Sequence, residues 1–226
     1  MDARPSTFAS QTMISWDLTL LDLINRKWAH PVLDWLMPAV SAVEAWYPLM
    51  ALAVLLVLWR GRARGVLLCL CVGMSLGIAD GIISNTLKEA IGRVRPRSAI
   101  TGVTVRDLGD AKPAFMRLFV PPTQRPSQPR GLKHGNSFPS SHTMNMFALA
   151  TVIALFHRRW GIAIYVLAAL VAYSRVYCGA HWPSDIAPSM AMGVLVGWAV
   201  TRLMLHASRR LGFGHVCHGS EIATRS

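Results

Sequence analysis

The sequence predicts an all-α integral membrane protein, a bundle of about six transmembrane helices preceded by an amphipathic N-terminal helix. Three observations carry this expectation. Apolar residues make up 53% of the 226 residues and charged residues only 15%, against roughly 25% charged in an average soluble protein. Mean hydropathy is positive, at +0.37. Long apolar runs alternate with basic or Pro/Gly-rich connections, the pattern of a chain that crosses a bilayer repeatedly.

The organisation follows in order. Residues 1–31 read as an N-terminal interfacial segment, 32–206 as the membrane domain and 207–226 as a cytoplasmic tail. Residues 1–15 do not have the pattern of a signal peptide. In 16–28 apolar Leu18, Leu20, Leu21, Leu23 and Ile24 lie between charges, which suits a helix lying in the membrane surface rather than crossing it. Pro31 interrupts it. Residues 32–46 contain Asp34, Pro38 and Glu44, so a span there would have to turn those positions toward protein. Clearer spans cover 47–59, 65–87, 141–156, 161–174 and 185–205, with Trp46 and Trp59 flanking the first where interfacial aromatics belong.

Charge placement orients the bundle. Arg60, Arg62 and Arg64 fall in one connection, Arg158 and Arg159 in another, and Arg209 and Arg210 after the last span. Alternate connections are therefore basic, as expected of cytoplasmic loops. The others, 88–140 and 175–184, lie together on the outer side. The outer loop from Arg97 to Asn136 carries seven cations, Lys133 among them, against Asp107 and Asp110; it reads as a solvated connector or as a collector of anionic headgroups. The net charge of +12 fits nucleic acid, anionic lipid or phosphorylated substrates, which composition alone does not separate; the polar clusters below decide for a phosphorylated lipid, with no nucleic-acid partner expected.

Four cysteines, Cys69, Cys71, Cys178 and Cys217, form no disulfide framework. The tail stretch His215-Val216-Cys217-His218 is too short to fix a metal's geometry and reads as solvated.

Three polar clusters converge on the outer face. Lys88 and Arg95-Pro96 close one span, Pro139-Ser140-Ser141-His142 opens the next, and Ser174-Arg175, His181 and Asp185 join the last two. Taken singly, each residue has a structural reading: an interfacial anchor, a helix cap, a satisfied histidine. Together they supply what phosphoryl transfer needs, since a phosphate's equatorial oxygens must be met by fixed cations and N–H donors. Lys88, Arg95 and Arg175 bring charge, and the arginines a planar fork. Ser140 brings a hydroxyl, and the Ser141 and His142 amides open a helix as an anion site. His181 is the candidate nucleophile, oriented by Asp185 four residues on, and His142 the candidate acid and base. With no Asp/Glu cluster to hold a metal pair, neither metal nor cofactor is expected. Asp80 and Glu89 are left outside the site.

Lys88-x6-Arg95-Pro96, Pro139-Ser140-Ser141-His142 and Ser174-Arg175-x5-His181-x3-Asp185 resemble the three-part signature of the type 2 phosphatidic acid phosphatase and haloperoxidase family, over about residues 33–205. The family usually has glycine where Ser141 stands. The resemblance implies a six-helix bundle, a phosphohistidine on His181, a phosphorylated membrane lipid as substrate, and a bacterial-type inner membrane with the site facing outward. It leaves open undecaprenyl diphosphate, phosphatidylglycerol phosphate, phosphatidic acid or lipid A 1-phosphate as substrate. Competing readings are a phosphotransferase with the same intermediate, a haloperoxidase, and a non-catalytic lipid-binding protein.

Overall fold

Helices account for the apolar runs, because a backbone out of reach of water must satisfy its polar groups internally. The computed structural model describes residues 15–131 and 134–211. Lys133, the His215–His218 stretch with Cys217, residues 1–14 and most of the tail expected from 207 lie outside the described residues.

The chain starts with α1 (Ser15–Asp22), continued by a π-helical stretch Leu23–Lys27. Asp17, Leu21 and Asn25 are buried at helical spacing, so this helix presses one face onto the protein. Trp16, Leu18, Leu20 and Trp28 stay exposed, and the interfacial reading of 16–28 therefore covers only the outward face. Next, α2 (Pro31–Ser41) is capped by the His30 ring accepting from Val32 N–H. Its 11 residues reach only about 16 Å, too short for a span, and Met37 packs against Tyr177 and Cys178. Of the polar positions foreseen in 32–46, Asp34 turns inward, accepting from Tyr177 Oη at 2.6 Å and pairing with buried Arg106 at 2.6 Å, and Pro38 is buried, whereas Glu44 is exposed.

The helical segment α3 (Tyr47–Leu76) breaks at Arg62, where φ is 47°. The two arms double back, and a Cβ on Gly65 would come within 2.2 Å of the Val57 carbonyl oxygen. The basic connection expected at 60–64 is therefore a tight reversal. The returning arm runs through a π-helical stretch Gly77–Ser84, which contains Asp80, into α4 (Asn85–Ile91). After α5 (Pro96–Ala99) the outer loop is folded, with β1 (Thr104–Asp107) antiparallel to β2 (Thr123–Pro126). Asn25 clips it down, donating to Thr104 O and accepting from Thr104 N–H, both at 2.8 Å. A solvated connector would need no such clip.

Three more helices complete the bundle: α6 (Ser141–Phe156), α7 (Arg158–Tyr177) and α8 (Pro183–Arg210). Close contact between α6 and α8 rests on Gly193 and Gly197, one turn apart. A Cβ there would sit 2.3 Å from Met144 O and 2.6 Å from Ala148 O, so only glycine admits this approach. Outward-facing Leu55, Val166, Leu195 and Leu203 are each more than 60% exposed, which suits lipid rather than water. The protein is a multi-pass, helical membrane protein. Its basic connections share one end: Arg64 donates to Phe156 O at 2.8 Å, and Leu67, Phe156, Met204 and Leu205 cluster there.

Candidate active site

The candidate residues assemble at the opposite end. The segment before α6 crosses to α8 by two bonds: Ser140 N–H donates to Ser189 Oγ at 2.8 Å, and Ser137 Oγ donates to Asp185 Oδ2 at 2.6 Å. α4 delivers Lys88, whose Nζ donates to Ser141 Oγ at 2.5 Å, while Ser84 Oγ shares the same hydroxyl at 2.7 Å. His142 lies in the electrostatic field of Arg175, His181, Arg95 and Lys88 together. All eight residues singled out in the sequence are thus drawn to one end of the bundle.

His181 is buried at 2% exposure. Its Nδ1 stands 2.6 Å from Ser137 O. A carbonyl only accepts, so Nδ1 carries the proton and Nε2 keeps its lone pair. The expected partner, Asp185, is near but indirect, with Oδ2 3.6 Å from Nδ1. That carboxylate oxygen is engaged by Trp182 N–H at 2.9 Å and by Ser137, which hold it beyond hydrogen-bond range of the ring. Burial pushes the His181 ring down to about 4; Asp185 opposes this, and Arg175 and Arg95 reinforce it.

Two cations are left short of partners. Among the described residues, the Nε groups of Arg95 and Arg175 are buried without a hydrogen bond, and Arg175 Nη1 meets the neutral hydroxyl of Ser41. No carboxylate pairs with either among the described residues. Cations withdrawn from water ordinarily pair with carboxylates, so these two half-buried guanidinium groups could receive an anion. Arg97 adds its charge nearby, acting on both.

Ser140 is fully buried and accepts from Thr143 Oγ1 at 3.0 Å; its own hydroxyl proton is uncommitted in that bond. Ser141 takes a part not foreseen from its backbone alone: its side chain steadies Lys88. The amides of Ser141 and His142 open α6, where no preceding turn supplies an acceptor.

Several contributors carried no signal in the sequence. Ser137 acts through its carbonyl oxygen, which side-chain patterns do not report. Arg93 donates to Asp185 Oδ1 at 2.5 Å and to Asp17 Oδ2 at 2.6 Å; it stood in plain view two residues before Arg95, but its partners are 92 and 76 positions away.

A model of the PAP2 superfamily matches residues 66–209. The chain belongs to this superfamily. Over 172 residues it is 30% identical to the lipid A 4'-phosphatase of Bacteroides thetaiotaomicron, covering 74% of this chain and 68% of that protein. Among solved structures, LpxE of Aquifex aeolicus superposes with a TM-score of 0.59 at 23% identity, over 84% of this chain and 96% of that one. The transmembrane PAP2 type phosphatidylglycerolphosphate phosphatase of Bacillus subtilis gives 0.55 at 22% identity, over 87% and 90%. These two structures share the fold. The matched stretch of this PAP2 protein begins inside α3, so α1 and α2 lie ahead of it.

Proposed function

We propose that this protein hydrolyses a phosphate ester of a membrane lipid through a phosphohistidine on His181, without a metal ion. The single observation that carries the reading is the pair of half-buried arginines, Arg95 and Arg175, whose buried Nε groups have no hydrogen bond among the described residues, in the same field as two histidines. In that cradle Lys88, Arg95, Arg175, the Ser140 hydroxyl and the Ser141 and His142 amides hold the phosphoryl oxygens. His181 Nε2 attacks phosphorus, the N–P bond forms and the bond to the lipid oxygen breaks, with His142 giving that oxygen a proton. Water then attacks phosphorus, His142 takes its proton, the N–P bond breaks and inorganic phosphate leaves. Asp185 supports the ring with negative charge as positive charge develops on it.

The activities of two relatives, on lipid A and on phosphatidylglycerol phosphate, point to a lipid phosphate monoester as substrate, and undecaprenyl diphosphate belongs in the same test. The site faces outward from a bacterial-type inner membrane: the arginine-rich reversal at 60–64 and the turn after Phe156 share the other end, as cytoplasmic connections do. Residues 32–206 form the phosphatase domain. No nucleic-acid partner enters.

Phosphate release from a panel of lipid A, phosphatidylglycerol phosphate, phosphatidic acid and undecaprenyl diphosphate tests the proposal. Release should persist in excess EDTA and be blocked by vanadate, which mimics pentavalent phosphorus. Strict dependence on added divalent metal overturns it, as does transfer to a second lipid with no free phosphate.

A further inference from the structure

Asp17 belongs to a helix that precedes the stretch matched to the superfamily, yet it is fully buried. Burying a carboxylate is costly unless it is paired, and Asp17 is paired three ways. It accepts from Arg93 Nη2 at 2.6 Å, from Ser184 N–H at 2.8 Å and from Ser184 Oγ at 2.5 Å. Arg93 forks: its other nitrogen, Nη1, donates to Asp185 Oδ1 at 2.5 Å and to Ser184 Oγ at 2.7 Å. The guanidinium is itself packed over the Trp182 ring, 5.4 Å from the centroid. Trp182 in turn donates to Val94 O at 2.8 Å.

The charges in this group decide what it does. Arg93 is the bridge between two carboxylates, and Asp185 is the one that reaches His181. With Asp17 present the three charges sum to minus one, and part of the guanidinium's field is spent on Asp17. Without it, Arg93 and Asp185 cancel, and the ring loses the negative charge that supports it while phosphorus is being attacked.

We propose that Asp17 is a positioning residue for the reaction, acting through Arg93 to keep the charge of Asp185 available to His181. The inference rests on the phosphohistidine reading above. It makes the N-terminal helix a working part of the site rather than only a membrane anchor. Its outer face, with Trp16, Leu18 and Leu20 exposed, meets lipid while its inner face sets the nucleophile.

The test is Asp17→Asn in the full-length protein, in lipid vesicles, on whichever lipid the wild type dephosphorylates. Asparagine keeps the size and an acceptor for Ser184 N–H but removes the charge. The groups facing His181 are Asp185 on α8, Arg175 on α7, His142 on α6 and Arg95 ahead of α5; the three besides Asp185 are unchanged by the substitution. With less negative charge at the ring, kcat should fall about tenfold with KM within about twofold. The acid limb of the pH profile should move to lower pH. A helix that merely anchors the fold would lower activity and leave the limb where it is; that result, or wild-type kcat, overturns the proposal. Should asparagine prevent folding, Asp17→Glu keeps the charge, and its limb should coincide with that of the wild type; a displaced limb overturns the proposal. A wild-type protein that releases no phosphate from any lipid sinks the phosphatase reading instead.

Discussion

His181 Nδ1 stands closer to the carbonyl oxygen of Ser137, at 2.6 Å, than to the carboxylate of Asp185, at 3.6 Å. Tautomer and charge are thereby assigned to different partners. The carbonyl fixes which nitrogen bears the proton, and the carboxylate supplies field.

Removing the carboxylate's charge should therefore hurt less than removing the ring. Asp185→Asn leaves Ser137 O to hold the tautomer, so the roughly 10⁴-fold loss that a wrong tautomer brings elsewhere is avoided. An expected loss of about 10²–10³-fold in kcat follows. His181→Ala should fall to background. Single-turnover phosphate release on the two variants separates them, and an Asp185→Asn as inactive as His181→Ala contradicts the division of labour.

The buried ring sets the pH dependence. Its pKa lies at about 4 in the free protein, below the ordinary histidine value of about 6.5. A neutral imidazole is the nucleophile, so the acid limb of kcat/KM, corrected for ionisation of the lipid phosphate, should lie near pH 4, while the need for a protonated His142 shapes the profile at higher pH. The sign for stability is the same. The unfolded chain binds this proton more tightly than the folded one, so the contribution of His181 is intact above pH 6.5 and is lost as pH drops toward 4. Thermal melting in detergent between pH 4 and 7 measures it. A limb near 6.5 would mean that the ring is solvated.

Ser141→Ala frees the Lys88 ammonium from the hydroxyl that holds it at 2.5 Å. One hydrogen bond to a charged group is lost, and Lys88 must then be ordered at each binding event. KM should rise about fivefold with kcat within about twofold. If KM does not move, the Ser84–Ser141–Lys88 contact does not prepare the cation.

The sequence exposes the parts of the site that repeat as short spacings. Lys88 and Arg95 sit on either side of one turn, and His181 and Asp185 on either side of another, so local chain geometry already brings them together. Lipid-facing runs are legible for the same reason: their apolar content is local. What escapes is whatever depends on distant pairing. Asp17 reads as an ordinary polar position on an amphipathic helix until Arg93 is seen beside it. Arg106 reads as a loop charge, yet it is buried against Asp34 with its guanidinium 4.5 Å from the centre of the Tyr177 ring. Likewise 32–46 has enough apolar residues to suggest a crossing, and only the contacts of Asp34 and Met37 reveal a short helix folded against α7.

The cradle has no preference for an anion that comes with acyl chains. Arg95 and Arg175, half-buried with their Nε groups unserved among the described residues, welcome free orthophosphate on the same terms as a headgroup, and orthophosphate is what the reaction leaves behind. Catalysis should thus slow as that small ion accumulates on the same side of the bilayer. Dephosphorylation of the lipid would then follow local phosphate supply, with no separate regulatory site needed.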